Sequence, residues 1–576
     1  MKQINKFFNL ITLTKLKNLM IQHLLNRTGK IKSNNQLIFV FIFGLLELVN
    51  FGFWYFPNRT IPMDNPYLDD GLIKSFSFAP FRRGQDPSIN IHPTHEQIDS
   101  DLNVLKGIVS EVRTYGARGG LEIVPALASK YGMTVIHSAW IKEANNEAEI
   151  LSLIDQANRY PDTIKRVIVG NEVLLRKDLK VQELADIIRR VRTSVKQPVS
   201  YADVWNIWLK YPELAKEVDY ITIHILPYWD DNPIDVNKAM NHIKVIYSKI
   251  HETFPDKPIL IGEVGWPTAG RSRERAVPSL VNAAQFHNSF LNIAKHSNWD
   301  YNVIEAFDQI WKIKHEGTVG GHWGLMDSNR KPKFKFGKPV SENPYWLTGF
   351  IASSLLSIIS FIWGEHKNRL TKIFEHAVFA VLCQMLAVMI IVSLFHSLKF
   401  DFFSNIEFIE ELLKWSLQLA LSFFVITEAK NKFNQTVSIN KHRDINTIII
   451  DFVVLLFIFL AIYKTAMLIF DGRYRNFPTN DFLVPAFGVL FGRWMIDLIV
   501  TKQKFMLKEA TYFRILAEIG LILMLISGTI CIIYLEKLTN LEAVIWGGTL
   551  LTLSLPRIAT AYDLIRRLNF NTRLLV

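Results

Sequence analysis

Cysteine is nearly missing from this chain. Its 576 residues include two, Cys383 and Cys531, both inside apolar runs. No disulfide framework, Cys-x-x-Cys pair or thiolate zinc site is therefore available to the polar part of the sequence, and an oxidising compartment is permitted without being indicated. Acidic residues are missing from the first 35 positions, which carry seven Lys and Arg. A Walker-type phosphate loop, a Ser-His-Asp order and a stripe of basic residues interleaved with aromatics are also missing. The marks of nucleotide hydrolysis, serine-type hydrolysis and nucleic-acid binding are thus not there.

What is there divides in two. Apolar residues make up 49% of the chain and charged ones 20%, a mixture that suggests a water-soluble domain joined to a membrane part. Between Asn58 and Pro344 the charges nearly cancel, with 36 Lys and Arg against 35 Asp and Glu. The +12 excess lies beside the hydrophobic segments, where it reads as membrane topology and not as a nucleic-acid footprint. Residues 36–56 form an apolar run long enough for a hydrocarbon layer of about 30 Å. It ends in aromatics without a small-residue cleavage site, so it reads as an uncleaved anchor. Apolar runs return at roughly 345–363, 376–397, 408–428, 446–470, 481–500, 515–535 and 541–558. Alternate loops between them hold Lys367, Arg369, Lys372, Lys430, Lys432, Lys441, Arg443, Lys502, Lys504, Lys508, Arg566, Arg567 and Arg573, whereas an opposite loop holds Glu407, Glu410 and Glu411. Both charge patterns place 57–344 across the membrane from the cytoplasm. The expected layout is a basic cytoplasmic segment (1–35), an anchor (36–56), an extracytoplasmic domain (57–344), a membrane domain of about seven helices (345–558) and a cytoplasmic tail (559–576). Glu47, Lys464, Arg493 and Asp497 fall inside the spans, and Arg493 and Asp497 are spaced to pair on one helical face.

Within 57–344, short β-branched runs alternate with amphipathic stretches. Strands are expected at 74–79, 111–116, 133–138, 165–170, 198–203, 219–226, 258–263 and 301–307, with helices at 147–159, 181–195, 236–253 and 279–296 among those between. Thr94 and Gln97 form a capping signature ahead of Ile98, Leu102, Leu105 and Val109. Eight strand–helix alternations over roughly 270 residues match a (β/α)8 barrel. An open doubly wound sheet usually carries a Gly-rich loop after its first strand, and Ala-Pro-Phe-Arg-Arg-Gly at 79–84 is not one.

In such a barrel chemistry sits at the C-terminal strand ends. The fourth strand ends in Gly170-Asn171-Glu172 and the seventh in Gly262-Glu263-Val264-Gly265-Trp266-Pro267. Two carboxylates then enter one mouth from nearly opposite staves, the pair a retaining glycosidase uses as acid/base and nucleophile. Weaker candidates are His92 with His95, and Asp99-Ser100-Asp101. The second mimics a nucleotide-sugar motif without its usual companions and lies in an amphipathic helix.

Five motifs in order carry a resemblance: Ser-Phe-Ala-Pro-Phe at 77–81, Val-Arg-Thr-Tyr-Gly at 112–116, Gly-Asn-Glu-Val at 170–173, Gly-Glu-Val-Gly-Trp-Pro-Thr at 262–268 and Trp-Gly-Leu-Met-Asp at 323–327. Residues 73–335 resemble glycoside hydrolase family 17, the β-1,3-glucanases and their bacterial transglycosylating relatives, some described as β-1,6-glucan synthases. The resemblance implies Glu172 as acid/base, Glu263 as nucleophile and Asn171 as a holder of the sugar 2-hydroxyl. It further implies Tyr115, Tyr228 and Trp266 around the cleft, Lys312 and Glu316 after the eighth strand, and a raised pKa on Glu172. Gln309 stands where a Glu is common, which weakens the expected acidic network near Glu263. No metal and no cofactor are expected. The expected partners are a β-glucan or gluco-oligosaccharide, the lipid bilayer and a glucan synthase or export partner, with no nucleic acid. The expected location is a bacterial inner membrane with the barrel in the periplasm, and the expected reaction is transglycosylation in glucan synthesis or remodelling. The alternatives are a tethered endo-hydrolase and a glucan-binding scaffold or transporter component.

Overall fold

The computed structural model describes residues 33–66, 71–365, 373–399, 405–433, 445–499 and 512–573. The basic segment up to residue 32, the loop residues Lys367, Arg369, Lys372, Lys441, Arg443, Lys502, Lys504 and Lys508, and the Asp497 side chain lie outside that description.

Eight parallel strands close into a barrel: β1 (Ile73–Ser77), β2 (Val109–Arg113), β3 (Thr134–Ala139), β4 (Ile164–Asn171), β5 (Val199–Val204), β6 (Ile221–Ile225), β7 (Ile259–Val264) and β8 (Asp300–Val303). The ring shuts where Phe76 of β1 pairs with Val303 of β8. β4, β6 and β7 are rich in Ile and Val because both faces are covered, one by the outer helices and one by the lumen. The helix Val236–Thr253 shows how the outer layer forms: Asp235 caps it, and Ala239, Ile243, Ile246 and Ile250 make one buried stripe at helical spacing. The Thr94–Gln97 capping box opens the helix His95–Leu105, with both reciprocal bonds in place.

Inside the lumen the layers change character with height. At the N-terminal end Arg166 joins Glu111 and Asp300, and Lys74 pairs with Asp300 at 2.9 Å. Above them Ile136, Ile168, Ala202 and Leu260 pack with Tyr220 as an apolar plug. Higher still the lining turns polar, through Ser77, Arg113, Thr222 and Asn302, all buried. Period-two alternation along β2 carries Glu111, Arg113 and then Tyr115 up the same inner wall.

The membrane part is helical. Six described helices are long and apolar enough to cross a membrane: the anchor region Val40–Asn58, then Trp346–Gly364, Phe374–Leu398, Asn405–Asn431, Ile445–Tyr474 and Ile515–Glu536. Two of the seven expected C-terminal segments fall short of that standard. The segment expected at 481–500 is broken into a π-turn, Leu483–Gly488, and a short helix, Val489–Ile499. The last is a 33-residue helix, Leu541–Arg573, with polar and charged residues throughout. Arg493 pairs across helices with Asp451 at 2.8 Å and Glu428 at 3.5 Å, and Lys464 faces Glu410 at 3.5 Å. These charges join helices to one another.

The anchor is part of the bundle. Asn50 donates to Ser353 and Ser354 at 3.1 and 3.0 Å, and the Trp54 indole N–H donates to Ser353 at 3.1 Å. Small residues facing one another let two helices approach and hydrogen-bond across their seam. Just outside, Ile61 and Val340 exchange both backbone hydrogen bonds, at 2.8 and 2.9 Å. The chain thus enters and leaves the barrel at one place. The barrel mouth also touches the bundle. Arg271, on the loop after β7, pairs with Glu536 and donates to the Gly472 carbonyl. Asn540 donates to the Ser272 carbonyl at 3.1 Å, Asn476 to Thr318 at 2.7 Å, and Lys537 pairs with Glu274 at 2.6 Å.

Candidate active site

Glu172 follows β4 on the turn Gly170-Asn171-Glu172. Gly170 has φ 85°, and Glu172 has φ 53°, ψ 32°, a left-handed conformation that a non-glycine residue holds at a cost of about 1–2 kcal/mol. The turn is fixed by the Glu172 N–H donating to the Ala202 carbonyl at 2.8 Å and its carbonyl accepting from Arg176 at 2.9 Å. Its side chain is 25% exposed. Glu263 stands on β7, directly across, and its side chain is 6% exposed.

His224 of β6 lies between them. Its Nδ1 is 2.8 Å from Glu172 and its Nε2 3.7 Å from Glu263. The carboxylate oxygens and imidazole nitrogens of the three lie within 4.8 Å of one another. The set resembles a cation site, but Arg113 already supplies positive charge there, 3.7 Å from Glu263 and 3.4 Å from His224. Fully buried, Arg113 donates to the Asn171 amide oxygen and to the Gly262 carbonyl, each at 2.7 Å. Gly262 permits this approach: a Cβ there would lie 2.4 Å from Thr222 and 3.2 Å from the Arg113 guanidinium.

Tyr115 does not offer its ring as an open platform. Its hydroxyl donates to Glu263 at 2.8 Å and lies 2.9 Å from Ser77, while Arg113 covers its ring at 5.0 Å. Burial first, and the Glu263 charge second, hold this phenol protonated, so it stays a donor. Tyr228 and Trp266, expected around the cleft, are 1% and 0% exposed and present no free ring face. Their polar atoms are used internally, Tyr228 donating to the Arg271 carbonyl at 2.7 Å and Trp266 to the Val277 carbonyl at 3.0 Å. Both aromatics brace the loop after β7.

Lys312 reaches back to pair with Glu305, and its ammonium lies 5.9 Å from the Tyr115 ring centre. Burial opposes its charge, but Glu305, Glu316 and Glu263 outweigh burial and raise its pKa. Glu316 is raised by burial, with Lys312 opposing and the charges of Glu172 and Glu263 adding. Glu305 is fully buried and pushed up to about 7 by burial, against the pull of Lys312. Gln309 is buried and donates to the Ala79 and Phe307 carbonyls. The acid near Glu263 is therefore Glu305, four positions earlier.

The expected raised pKa on Glu172 is not what this site produces. Burial does raise it, but the His224 hydrogen bond and charge, joined by Arg176 and Arg113, outweigh burial and hold the carboxyl below its ordinary value. Sequence reasoning missed Arg113, His224 and Glu305 as site residues. For Arg113 a signal existed, since it sits at even spacing between Glu111 and Tyr115. The weaker candidates stay apart from the mouth. Asp99 pairs with Lys130, and Asp101 is held by Arg82 and Arg330.

Known proteins resemble this chain over the barrel. Residues 75–324 match the family model described as the BtgE/BtgC glycoside hydrolase domain. Glucan 1,3-beta-glucosidase of Schizosaccharomyces pombe is 30% identical over 258 residues, 41% of this chain and 78% of that protein. The protein of the same name from Saccharomyces cerevisiae is 29% identical over 264 residues, 41% of this chain and 83% of its own length. A Rhizomucor miehei beta-1,3-glucanosyltransferase structure, an active-site mutant with laminaritriose, has 26% identity and a TM-score of 0.41, covering 46% of this chain and 97% of that one. These relatives are fungal and lend the expectation of a bacterial periplasm no support. Through its barrel the chain belongs to the BtgE/BtgC glycoside hydrolase family, of the family 17 type, and is a glycosidase enzyme.

Proposed function

We propose that the barrel is a retaining β-1,3-glucan enzyme whose acid/base is Glu172 and whose nucleophile is Glu263. The observation that carries this reading is the approach of one carboxylate oxygen of Glu172 to within 4.8 Å of one of Glu263. Retaining pairs stand about 5–5.5 Å apart and inverting pairs about 6.5–9.5 Å. The substrate class follows from relatives named as glucan 1,3-beta-glucosidases.

In the first half-reaction Glu263 attacks the anomeric carbon while the leaving oxygen takes a proton from the Glu172 side. Tyr115, donating at 2.8 Å, and Arg113, at 3.7 Å, orient the Glu263 carboxylate before attack. Glu172, whose carboxylate lies 2.8 Å from His224 Nδ1, delivers that proton. Glycosylation removes the Glu263 charge, and Glu172 then takes a proton from the acceptor hydroxyl as it displaces the enzyme. Asn171, held by Arg113, positions its amide for the sugar 2-hydroxyl.

The acceptor is a sugar hydroxyl in preference to water, giving transglycosylation on the extracytoplasmic side of the membrane. Supporting this is the tether: a barrel fixed to membrane helices does not diffuse to distant polymer, and is placed to extend or remodel glucan nearby. The test is to incubate the full-length chain in lipid nanodiscs with β-1,3-gluco-oligosaccharides, and to read products by mass spectrometry and NMR. Products longer than the donor, joined by β-bonds, are expected. Glu172→Gln and Glu263→Gln should each lower turnover at least about a thousandfold. Only shorter products would replace transfer by hydrolysis. Full activity in Glu263→Gln would remove the nucleophile assignment.

A further inference from the structure

One cavity lies away from the barrel mouth. It holds about 640 Å³ and lies where the anchor helix, the helix Ile373–Lys399, the 476–483 turn and the start of the last helix meet beneath the loop after β7. That size is within the roughly 300–1,000 Å³ of small-molecule sites. Its wall toward the bundle is apolar, through Leu46, Val49, Met385, Val388, Met389 and Val392. Its other lining residues include Gly270, Arg271, Asn476 and Glu542, at the junction with the barrel.

Three lining side chains carry buried polar atoms with no hydrogen-bond partner. On Gln384, 6% exposed, both the amide nitrogen and oxygen are unsatisfied, and so are Arg271 Nε and the Asn476 side-chain oxygen. Buried polar groups are normally paired, and an unmet one costs about 1–3 kcal/mol. Four such atoms around one cavity, two donors and two acceptors, point to a ligand that offers both. The charge balance narrows the choice. Among the described lining residues Arg271 is the one Lys or Arg, and Glu536 already pairs with it, while Glu542 adds a carboxylate. An anionic head would find no spare positive charge.

We propose that this cavity binds a single-chain amphiphile with a neutral, hydroxyl-bearing head, the chain against the apolar wall and the head among Gln384, Arg271 and Asn476. A sugar head meets that description, since each hydroxyl both donates and accepts. Nothing in this assignment depends on the reaction at the barrel mouth.

The probe is dodecyl β-glucoside carrying a diazirine near its chain end, photolysed with the full chain in phosphatidylcholine nanodiscs. Labelling is expected on the Ile373–Lys399 helix at Met385, Val388 and Met389, displaced by plain dodecyl β-glucoside and not by dodecylphosphocholine. Val388→Trp, which fills the cavity, should cut labelling about tenfold or more. Gln384→Leu removes two unpaired polar atoms and so keeps the fold, and it should weaken displacement by the glucoside about tenfold. Equal labelling of lipid-facing positions such as Phe452 and Phe459 would overturn the proposal. Equal displacement by the phosphocholine would do the same, because the space would then be a crevice for any acyl chain. An unchanged Gln384→Leu would overturn the assignment of the head.

Discussion

At the scale of the residue, the site depends on how few groups hold so much charge in place. His224 touches both carboxylates, and it is the main reason Glu172 sits below its ordinary value. An acid must be protonated to act, so activity falls as pH rises through the pKa of Glu172. Removing His224 removes the main lowering cause, and His224→Asn should move the alkaline limb of kcat/KM upward. A limb that stays in place would mean that His224 does not control this proton. Glu305 gives a second test with the opposite bearing. Its pKa is raised from 4.5 to about 7 by burial. The stability linked to its protonated form is therefore full below about 4.5 and lost as pH climbs through about 7. Glutamine is neutral throughout. The Tm of Glu305→Gln relative to wild type should rise between pH 5 and pH 8, by an amount reflecting at most about 3 kcal/mol. A difference that is flat with pH would count against the raised value.

At the scale of the element, all eight strands were legible because each is a short β-branched run bounded by turns, and their order dictates the barrel. Most ends shifted by a residue or two, that of β2 by three, and the eighth most: it was expected through Phe307 but stops at Val303. That shift hid Glu305, which looked like a strand residue and is instead a buried acid beyond the strand. His224 was hidden for another reason. A polar residue inside an apolar strand shows which face it is on only when the register is known, and its partners come from strands far away in sequence. Tyr228 and Trp266 were visible as aromatics near the right loops, but a pattern does not separate a ring that lines a cleft from one that supports it. Gly317 shows contact that no periodicity carries. It has φ 70°, and a Cβ there would lie 2.0 Å from the Tyr474 carbonyl of the membrane part. Gly317→Ala should push the 472–476 turn away and speed its amide hydrogen exchange, while the barrel strands keep theirs. Unchanged exchange at 472–476 would show that the two parts do not press together there.

At the scale of the whole molecule, composition and charge separated a polar domain from apolar helices, yet said nothing of how they meet. The meeting is on the chemical side of the barrel. The loops after β6, β7 and β8 bear on the bundle through Trp229 with Tyr474, Arg271 with Glu536, and Thr318 with Asn476. Arg273 and Arg473 flank the Trp229 ring at 5.5 and 5.7 Å, so that tryptophan serves the junction.

The exchanged backbone bonds of Ile61 and Val340 have a modular consequence. Guest domains that leave a host chain with neighbouring ends can be lifted out, because a short turn closes the gap. Here the host is a helical hairpin, the anchor and the helix Trp346–Glu365, stitched by Asn50, Trp54, Ser353 and Ser354. Replacing 62–339 by a turn of a few residues should leave a shorter membrane protein that inserts and melts cooperatively in detergent. Aggregation of that product would show that the barrel is a structural support and not a passenger in the chain.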